Sequence, residues 1–406
     1  MNILFVHQNF PGQFRHLAPA LVARGDRVAA LHMNDAPRME GVELVRSRPD
    51  RDAAPAGHRW TRDLDAKVIR GEASLKAARA LAATGFAPDV IVAHPGWGES
   101  LFLKQLWPAA KLGLYCEYYY RLAGGDVGFD PEFAAADPLE AACRLQLRNA
   151  NALLHCEMAD GAIAPTRWQA ESFPASFRDR IAVIHDGIDT DLLRPDPAVS
   201  LSLGDGPPLG PEEEVITFVA RNLEPYRGYH VVMRALPELL RRRPKARVVF
   251  VGGDGVSYGA PAPDGQSWMS RFLAEVAGDI DRSRVHFLGR LPYAAYRALL
   301  QRSTVHLYLT YPFVLSWSLL EAMATGCAIV ASDTAPVREA ITDGETGRLF
   351  PFFDRAALVE AVCALLDSPA ERARLGAAAR AAVVARYDLR RICLPRQLTW
   401  IDALSR

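Results

Sequence analysis

Two arginines lie close together in the segment FVARNLEPYRGYHVV, directly after an apolar run that predicts a buried strand. Arg221 and Arg227 are followed by Gly228, where the next helix is expected to begin. Arginine donates paired N–H bonds to phosphate oxygens, so two fixed cations at the carboxyl end of a parallel strand suit a diphosphate. On these residues alone, solvated surface arginines are the alternative interpretation.

A second group of polar residues lies in YPFVLSWSLLEAMATG, residues 311–326. A strand end leads here into a helix that begins near Ser316 or Trp317, and its free amides and the hydroxyls of Ser316 and Ser318 can hold phosphates. Glu321, one turn further on, can accept two hydrogen bonds from a vicinal diol such as a ribose. Each charged hydrogen bond contributes about 1.5–3 kcal/mol. An ordinary helix glutamate near a favourable dipole is the alternative.

The elements that must position these residues follow from the apolar pattern. Short apolar runs alternate with helical stretches from the N-terminus onward, which is typical of β-α-β units on a parallel sheet. The stretch PDPAVSLSLGDGPPLGPEEE has no periodicity and predicts a linker, after which the pattern restarts. The fold class is therefore α/β, with two doubly wound Rossmann-like domains whose cleft is the expected ligand site. The predicted boundaries are residues 1–196, a linker over 197–212, residues 213–387, and a helical tail over 388–406.

The glycine turn after the first strand, HQNFPGQFRH, is a further candidate for donor binding. A loop that leads into a helix N-terminus presents unpaired amides, and Gly12 in this turn would bring them to an anion. The turn is not G-x-G-x-x-G, so the dinucleotide fingerprint is absent and a nicotinamide oxidoreductase is disfavoured. A plain Pro11–Gly12 turn is the alternative.

Composition excludes several classes of protein. The 47 basic and 47 acidic residues give a net charge of zero, so no nucleic-acid partner is expected. The six scattered cysteines form no C-x-x-C pair and fit small buried side chains in a reducing compartment.

No apolar run approaches the ~18 residues that span a bilayer, and the N-terminus resembles a strand rather than a signal peptide. A cytoplasmic protein is expected, and the basic segment RRRPKAR leaves open a weak peripheral contact with the inner membrane face.

The spacing of these motifs resembles the retaining glycosyltransferases of the GT-B fold, in the large family-four-like group with an E-x7-E motif. Arg221, Arg227 and Gly228 are similar to that family's R-x5-K-G element, with arginine in place of lysine. The segment LLEAMATGCAIVASDTAPVREAITDGETGRLF resembles its EAMA-to-DG-x-G stretch, HDGID its N-G-[IV]-D segment, and HFLGRLP its base-binding loop. The N-terminal FPGQFRHLAPALVARGDRV matches its first loop and helix more loosely.

The resemblance implies an enzyme that moves a sugar from a nucleoside-diphosphate donor to an unidentified acceptor, with retention of configuration, no metal and no other cofactor. The resemblance implies a donor-side role for each of several residues. Arg221 and Arg227 would hold the diphosphate, Ser316 and Ser318 would lie against the phosphates, Glu321 would bind the ribose, and backbone groups at Leu288, Gly289 and Arg290 would meet the base. The tail helix in this fold usually crosses back onto the first domain.

One position departs from the family pattern. Counting back eight residues from Glu321 leads to Phe313, where the motif has its first glutamate. In the family that glutamate contacts hydroxyls of the donor sugar, and a phenyl ring offers no acceptor to them. The substitution favours a donor sugar with fewer hydroxyls on that face, or one held there by backbone amides.

The acceptor side is expected in the first domain, where two strands end in polar and aromatic residues. His94 and Trp97 follow one strand, and Glu117 with Tyr118 and Tyr119 follows another. An imidazole or a carboxylate near the reacting carbon can act as an acid or base, and aromatic rings can pack on a sugar face. The sequence does not decide between His94 and Glu117, and a structural His94 is an alternative. A catalytically inactive nucleotide-sugar-binding subunit and a sugar-nucleotide epimerase are the other functions that fit the pattern.

Overall fold

The structure is a computed structural model that describes residues 1–53, 57–202, 209 and 213–406. Its contacts divide the chain into two compact units, one comprising Met1–Gly187 with Leu389–Arg406 and the other Ile188–Asp388. The observed boundary falls before the predicted one at residue 196, because Ile188 and Leu193 are buried in the second unit's core. Most of the predicted linker, 203–208 and 210–212, lies outside the described residues.

The described strands of the first unit form a parallel sheet in the order β3-β2-β1-β4-β5-β6-β7. They are β1 (Asn2–Val6), β2 (Arg27–His32), β3 (Val42–Arg46), β4 (Val90–Ala93), β5 (Lys111–Tyr115), β6 (Gly161–Ala164) and β7 (Ile181–Val183). Alternate residues of β1 face opposite sides: Leu4 and Val6 join one buried core, and Ile3 and Phe5 join the other. Burial on both faces explains why the sequence of a central strand such as β1 is continuously apolar.

The helices of the first unit cover both faces of this sheet and connect its strands. They are α1 (Leu17–Arg24), α2 (Arg62–Ala83), α3 (Leu103–Leu106), α4 (Pro138–Met158), α5 (Arg167–Ser172) and α6 (Ala175–Arg178). Helix α1 ends at Gly25, which adopts a left-handed conformation with φ of 98° and donates its N–H to the carbonyl of Val22.

The second unit repeats the pattern with a parallel sheet of described strands in the order β10-β9-β8-β11-β12-β13. The strands are β8 (Glu214–Asn222), β9 (Ala246–Gly253), β10 (Val285–Phe287), β11 (Val305–Tyr308), β12 (Ile329–Ser332) and β13 (Arg348–Phe350). The helices are α7 (Tyr229–Arg242), α8 (Trp268–Val276), α9 (Tyr293–Arg302), α10 (Trp317–Ala324), α11 (Ala335–Ala340), α12 (Arg355–Asp367) and α13 (Pro369–Tyr387). The α/β class and the two Rossmann-like units are thus confirmed.

Strands β3 and β13 were not predicted from the sequence. Both lie at the edge of a sheet, and neither is buried along most of its length. Short edge strands bury too little apolar surface to leave a clear pattern in the sequence.

The tail helix α14 (Leu394–Leu404) packs with the first unit, as the resemblance implied. A π-helical turn over Leu389–Cys393 leads into it. Ile401 and Leu404 join the core formed by β1, and Gln397 donates a hydrogen bond to the carbonyl of His185 at 3.0 Å. Of the helices in the described residues, none is both long and apolar enough to cross a membrane.

The tail packs directly on a glycine of β5, which gives a test of its contribution. A Cβ on Gly113 would lie 2.5 Å from Leu404 Cδ2 and 2.6 Å from Trp400 Cη2. We expect Gly113→Ala to destabilise the first unit by about 1 kcal/mol, at the low end of overpacking costs, because the leucine end can move. Urea unfolding measures the loss, and limited proteolysis reports release of the tail.

Gly278→Ala is the matched control, since a Cβ at Gly278 meets no atom within 4 Å. Equal stability of the two alanine variants, with the tail equally resistant to protease, would contradict tight packing of α14 on β5.

Candidate active site

Arg227 is held as a buried cation at the carboxyl edge of the second sheet. It ends a 3-10 turn, Pro225–Arg227, that follows β8, and the side chain is only 5% exposed. Its Nη1 donates to Thr310 Oγ1 at 2.8 Å and to the Val314 carbonyl at 2.9 Å. Burial acts to lower the pKa of Arg227, but the facing Tyr308 and Tyr258 raise it, so the guanidinium stays charged.

Gly228 makes this placement possible. It adopts φ of 69°, and a Cβ there would lie 2.4 Å from the Cβ of Leu309. Only glycine allows the turn and the segment after β11 to approach so closely. Arg221, by contrast, is exposed near the end of β8 and makes no hydrogen bond or ion pair with the described part of the chain. Hydrogen bonds therefore hold the Arg227 side chain in place, whereas the Arg221 side chain is not held by the described residues.

The N-terminus of α10 lies where the sequence predicts it. Ser316 is the N-cap, and its Oγ accepts from the Ser318 N–H at 3.3 Å and contacts Ser318 Oγ at 2.9 Å. The Ser316 N–H donates to the hydroxyl of Tyr308 at 2.8 Å, and that hydroxyl also lies 3.5 Å from Arg227 Nη1. Tyr308 thus links the buried cation to the start of the helix.

Glu321 is buried and bound by two tyrosines of α9. Tyr293 donates to Oε1 at 3.0 Å and Tyr296 donates to Oε2 at 2.7 Å. Burial and the neighbouring carboxylate raise the pKa of Tyr296, so its hydroxyl remains a donor. Sequence reasoning missed both tyrosines, although their i, i+3 spacing in LPYAAYRALL places them on one helix face. A carboxylate has about four acceptor positions, so this one can still accept from a diol.

Phe313 belongs to an aromatic group around Arg227. It is 4% exposed, and its ring centroid lies 5.6 Å from Tyr226 and 4.9 Å from Tyr258. The guanidinium carbon of Arg227 lies 5.8 Å from the Phe313 ring and 5.0 Å from the Tyr258 ring. The Phe313 ring therefore packs beside the cation.

Glu224, which sequence reasoning also missed, holds the loop that carries Tyr258. This carboxylate is fully buried, and it accepts from the backbone N–H groups of Ser257, Tyr258 and Gly259 at 3.0, 3.3 and 3.4 Å. The signal for it in the sequence was an acidic residue two positions after the end of β8, between Arg221 and Arg227. Glu224 therefore acts as a positioning residue for the loop beside Arg227.

The predicted base-binding residues follow β10 at the same sheet edge. Gly289 has φ of 61°, and its carbonyl accepts from the Gly252 N–H at 2.9 Å. The Leu288 N–H bonds to the Phe250 carbonyl at 2.9 Å, and Arg290 Nη2 lies 3.5 Å from Asn222 Oδ1. The base-binding role of these residues stays a prediction.

In the first unit, the structure brings His94, Trp97 and Glu117 into one group. His94 Nδ1 accepts from the Gly96 N–H at 3.1 Å, which leaves Nε2 as the protonated nitrogen that faces Glu117 Oε2 at 3.2 Å. The Trp97 ring stacks on the imidazole with 4.2 Å between centroids. Burial acts to raise the pKa of Glu117, but the hydrogen bonds from His94 and Gln13 outweigh it and lower the pKa.

His7 and Gln13 complete this group and were missed from the sequence. Gln13 Nε2 donates to Glu117 Oε1 at 3.0 Å, and the His7 ring lies 5.4 Å from His94. Burial and the neighbouring His94 lower the pKa of His7 to about 3, so it is neutral. Gly12, with φ of 47°, closes over His7, because a Cβ there would lie 2.5 Å from the imidazole Cε1.

The predicted acceptor-side tyrosines lie beside this group on the chain but have other partners. Tyr118 donates to Asp126 Oδ1 at 2.9 Å and stacks on Trp168, with 5.6 Å between centroids. Tyr119 packs against Phe173 at 5.8 Å. Their predicted contact with a sugar stays a prediction.

Both groups lie at the points where the strand order reverses. In the first sheet the reversal is between β1 and β4, whose ends carry His7 and His94, and in the second it is between β8 and β11. Ligands of doubly wound sheets bind outside the carboxyl ends of the strands at such points. Two Rossmann-like units in one chain, each with polar groups at its reversal point, define the GT-B class of proteins.

Two family models match almost consecutive parts of the chain. Residues 24–193 match the glycosyl transferase family 4 group, and residues 207–382 match glycosyl transferases group 1. Both halves of the chain are therefore similar to glycosyltransferase domains.

Among curated proteins, the chain is similar to a phosphatidyl-myo-inositol mannosyltransferase of Mycolicibacterium smegmatis. The two are 31% identical over 228 residues, which covers 55% of this chain and 51% of that protein. A D-inositol 3-phosphate glycosyltransferase of Nocardia farcinica is 31% identical over 54% of this chain and 47% of that protein. The chain thus spans about half the length of the curated relatives it matches.

Solved structures share the fold over the whole chain. A sucrose-phosphate synthase of Thermosynechococcus elongatus has a TM-score of 0.75 at 18% identity and covers 100% of this chain and 99% of its own. The Anabaena protein HepE, solved in complex with UDP and glucose, has a TM-score of 0.70 at 16% identity and covers 99% of each chain. These likenesses confirm the GT-B fold.

A buried glutamate two residues after Trp97 makes stability depend on pH. Glu99 is 1% exposed, and both of its carboxylate oxygens are without a hydrogen bond in the described part of the chain. Burial raises the pKa of Glu99 from 4.5 to about 7, against the opposing effect of Arg70, His94 and Lys67. Between these pH values the native state keeps a proton that the unfolded state releases, so stability falls as pH rises.

We expect Glu99→Gln to remove this pH dependence. The free energy of unfolding of the variant, relative to the parent, should rise by about 2–3 kcal/mol between pH 4 and pH 8, as measured by urea unfolding. Glu40→Gln, at an exposed position, is the control and should give a constant difference. A constant difference for Glu99→Gln as well would show that Glu99 is ionised in the native state.

Proposed function

We propose that this protein is a glycosyltransferase that moves a sugar from a nucleoside-diphosphate donor to an acceptor hydroxyl, with retention of configuration and without a metal. The observation that carries the proposal is Arg227, a buried cation at the reversal point of the second sheet that is linked through Tyr308 to the start of α10. The group 1 domain over residues 207–382 and the UDP complex of HepE support a nucleotide-sugar donor.

The proposed role of the second unit is to stabilise the leaving group. Negative charge grows on the diphosphate as the glycosidic bond breaks, and a cation already fixed in a water-poor site stabilises it without reorganisation. The serine hydroxyls at the start of α10 and the positive end of its helix dipole are further groups that favour a negative charge. With these groups in place, the proposed chemistry needs no metal ion, and turnover should survive an excess of EDTA.

The proposed role of the first unit is to bind the acceptor. His94 directs its protonated nitrogen at Glu117, so Glu117 is the group of the pair that can accept a hydrogen bond from an acceptor hydroxyl. The stacked Trp97 offers an apolar surface to a sugar or cyclitol ring. The two relatives named for inositol-containing acceptors are consistent with a polyhydroxylated acceptor of a glycoconjugate.

Substitution of Arg227 tests the proposal. We expect Arg227→Ala to lose about 10²–10³ in turnover, the usual cost of removing one donor to a developing negative charge. Arg227→Lys should retain much more, since it keeps a cation. Release of nucleoside diphosphate from a panel of nucleotide sugars, with and without acceptors, measures the turnover, and circular dichroism checks the fold.

Arg355→Ala is the control, because Arg355 is an exposed arginine at the start of α12. Turnover of the Arg227→Ala variant equal to that of the control would overturn the diphosphate role. Conversion of a nucleotide sugar without any acceptor would point to an epimerase instead.

Glu321 is proposed to bind the ribose. We expect Glu321→Gln to weaken UDP binding by about 1–3 kcal/mol, and to weaken binding of the 2′,3′-dideoxy analogue much less, because the analogue has no diol. Calorimetry measures both affinities. Tyr296→Phe is the control: it removes one donor to the carboxylate but keeps the carboxylate, so it should cost less. Equal losses for both nucleotides would exclude the ribose role.

Phe313 is proposed to set the donor sugar, with a preference for fewer hydroxyls on the face it covers. We expect Phe313→Glu to lower turnover about tenfold or more, because the new carboxylate would lie beside Arg227 and compete with the diphosphate for it. Phe313→Leu keeps an apolar side chain and should retain the donor preference. A gain of turnover with a fully hydroxylated hexose donor in Phe313→Glu would contradict this role.

A further inference from the structure

A positively charged cavity lies in the first unit, on the far side of β1 from the group around Glu117. Its volume is about 610 Å³, and its lining includes Gln8 after β1, Met33 after β2 and Arg48 after β3. Arg70 of α2 also lines it. The cavity therefore occupies the carboxyl edge of the first three strands.

Three guanidinium groups line this cavity, against the single carboxylate of Asp52. Arg46 is already engaged, because it donates to the Met33 carbonyl at 3.0 Å and pairs with Asp35 at 2.9 Å. Arg48 and Arg70 make no hydrogen bond or ion pair with any described residue. Arg70 also interacts electrostatically with the buried Glu99, but its N–H groups, like those of Arg48, keep their capacity to donate. Paired guanidinium donors fit phosphate oxygens, so an anion in this cavity would complete the site.

The site is also built on a rigid frame. The end of β3 is held in register, with Arg46 opposite His32 of β2, and the Ser47 N–H bonds to the His32 carbonyl at 2.8 Å. The Ser47 side chain is buried and contacts the Ser74 hydroxyl of α2 at 3.4 Å. The strand and the helix that carry Arg48 and Arg70 are therefore joined at this point.

The distance between the cavity and Glu117 determines how long a molecule that binds at both places must be. Adjacent strands are spaced ~4.8 Å apart. Because β2 and β3 lie three and four strands from β5, whose end carries Glu117, the β2–β3 edge lies about 15–20 Å from that end. A molecule that binds at both places needs an anionic group about 15 Å or more from its reacting hydroxyl. This distance exceeds the span of a single small ring and fits a phosphate carried on a longer acceptor.

We propose that this cavity binds a phosphate group of the acceptor through Arg48 and Arg70, while the reacting hydroxyl lies at Glu117. The role of the acceptor rests on the proposed function, whereas phosphate binding by the cavity does not. The phosphate can belong to a soluble phosphorylated glycan or to a lipid headgroup, since both present the same oxygens.

The test uses the full chain and the double variant Arg48→Gln, Arg70→Gln. Calorimetry measures binding of inorganic phosphate and of glycerol 3-phosphate, with chloride at equal ionic strength as the blank. Cosedimentation measures binding to phosphatidylcholine vesicles that contain phosphatidylglycerol. The control is Arg79→Gln, Arg144→Gln, which removes two exposed helical arginines of the same unit.

We expect the cavity variant to bind at least one phosphate probe tenfold or more weakly than the control does. Loss with the soluble probes alone identifies a soluble acceptor, and loss with vesicles identifies a lipid headgroup. Unchanged binding of every probe, or an equal loss in the control, would overturn the proposal.

Binding of UDP to the same variants separates this proposal from the proposed function. UDP affinity should be unchanged in the cavity variant, because the donor groups belong to the second unit. A cavity variant that loses phosphate binding, in a protein that shows no turnover with any nucleotide sugar, would sustain the anion site and reject the transferase. Normal turnover together with unaltered phosphate binding in the cavity variant would support the transferase and reject the anion site.

Discussion

The central strands of both sheets are buried on their two faces, and this constraint decides where polar side chains can be placed. Helices cover the sheets, so the residues along each strand must be apolar, and only the strand ends are open to polar side chains. At the reversal of strand order the connections diverge to opposite sides and leave that edge accessible. His7 and His94 lie there in the first unit, and Arg227 lies there in the second.

Arg227 shows what it takes to keep a charge in such a place. The guanidinium is almost fully removed from water, and its desolvation is offset by a hydroxyl, a carbonyl and the electron-rich faces of Tyr258 and Phe313. Glu224 contributes indirectly, since it holds the backbone of the loop that carries Tyr258. A preorganised cation of this kind is suited to stabilise charge that appears only during a reaction.

The first unit uses neutral and acidic groups instead. His7 is uncharged, His94 donates to Glu117, and Gln13 donates to the same carboxylate. Glu117 is consequently an ionised acceptor within a partly apolar group that includes Trp97. The cationic cavity lies three to four strands away from Glu117 along the same edge. An edge that offers a hydrogen-bond acceptor at one place and cations at another can bind a long, asymmetric molecule in one orientation.

The sequence by itself determined the α/β class, the two repeated units, most strand positions, the cap at Ser316 and the likeness to glycosyltransferases, because apolar periodicity and local motifs depend on neighbouring residues. Only the tertiary structure decided that His94 and Glu117 form one group, that Tyr293 and Tyr296 bind Glu321, and that Phe313 packs beside Arg227. These pairs are far apart in the chain or face each other across elements, and strand order with helix rotation sets such contacts. The local sequence pattern determines neither strand order nor helix rotation. The proximity of Arg48 and Arg70 therefore became evident only when the structure placed β3 beside α2.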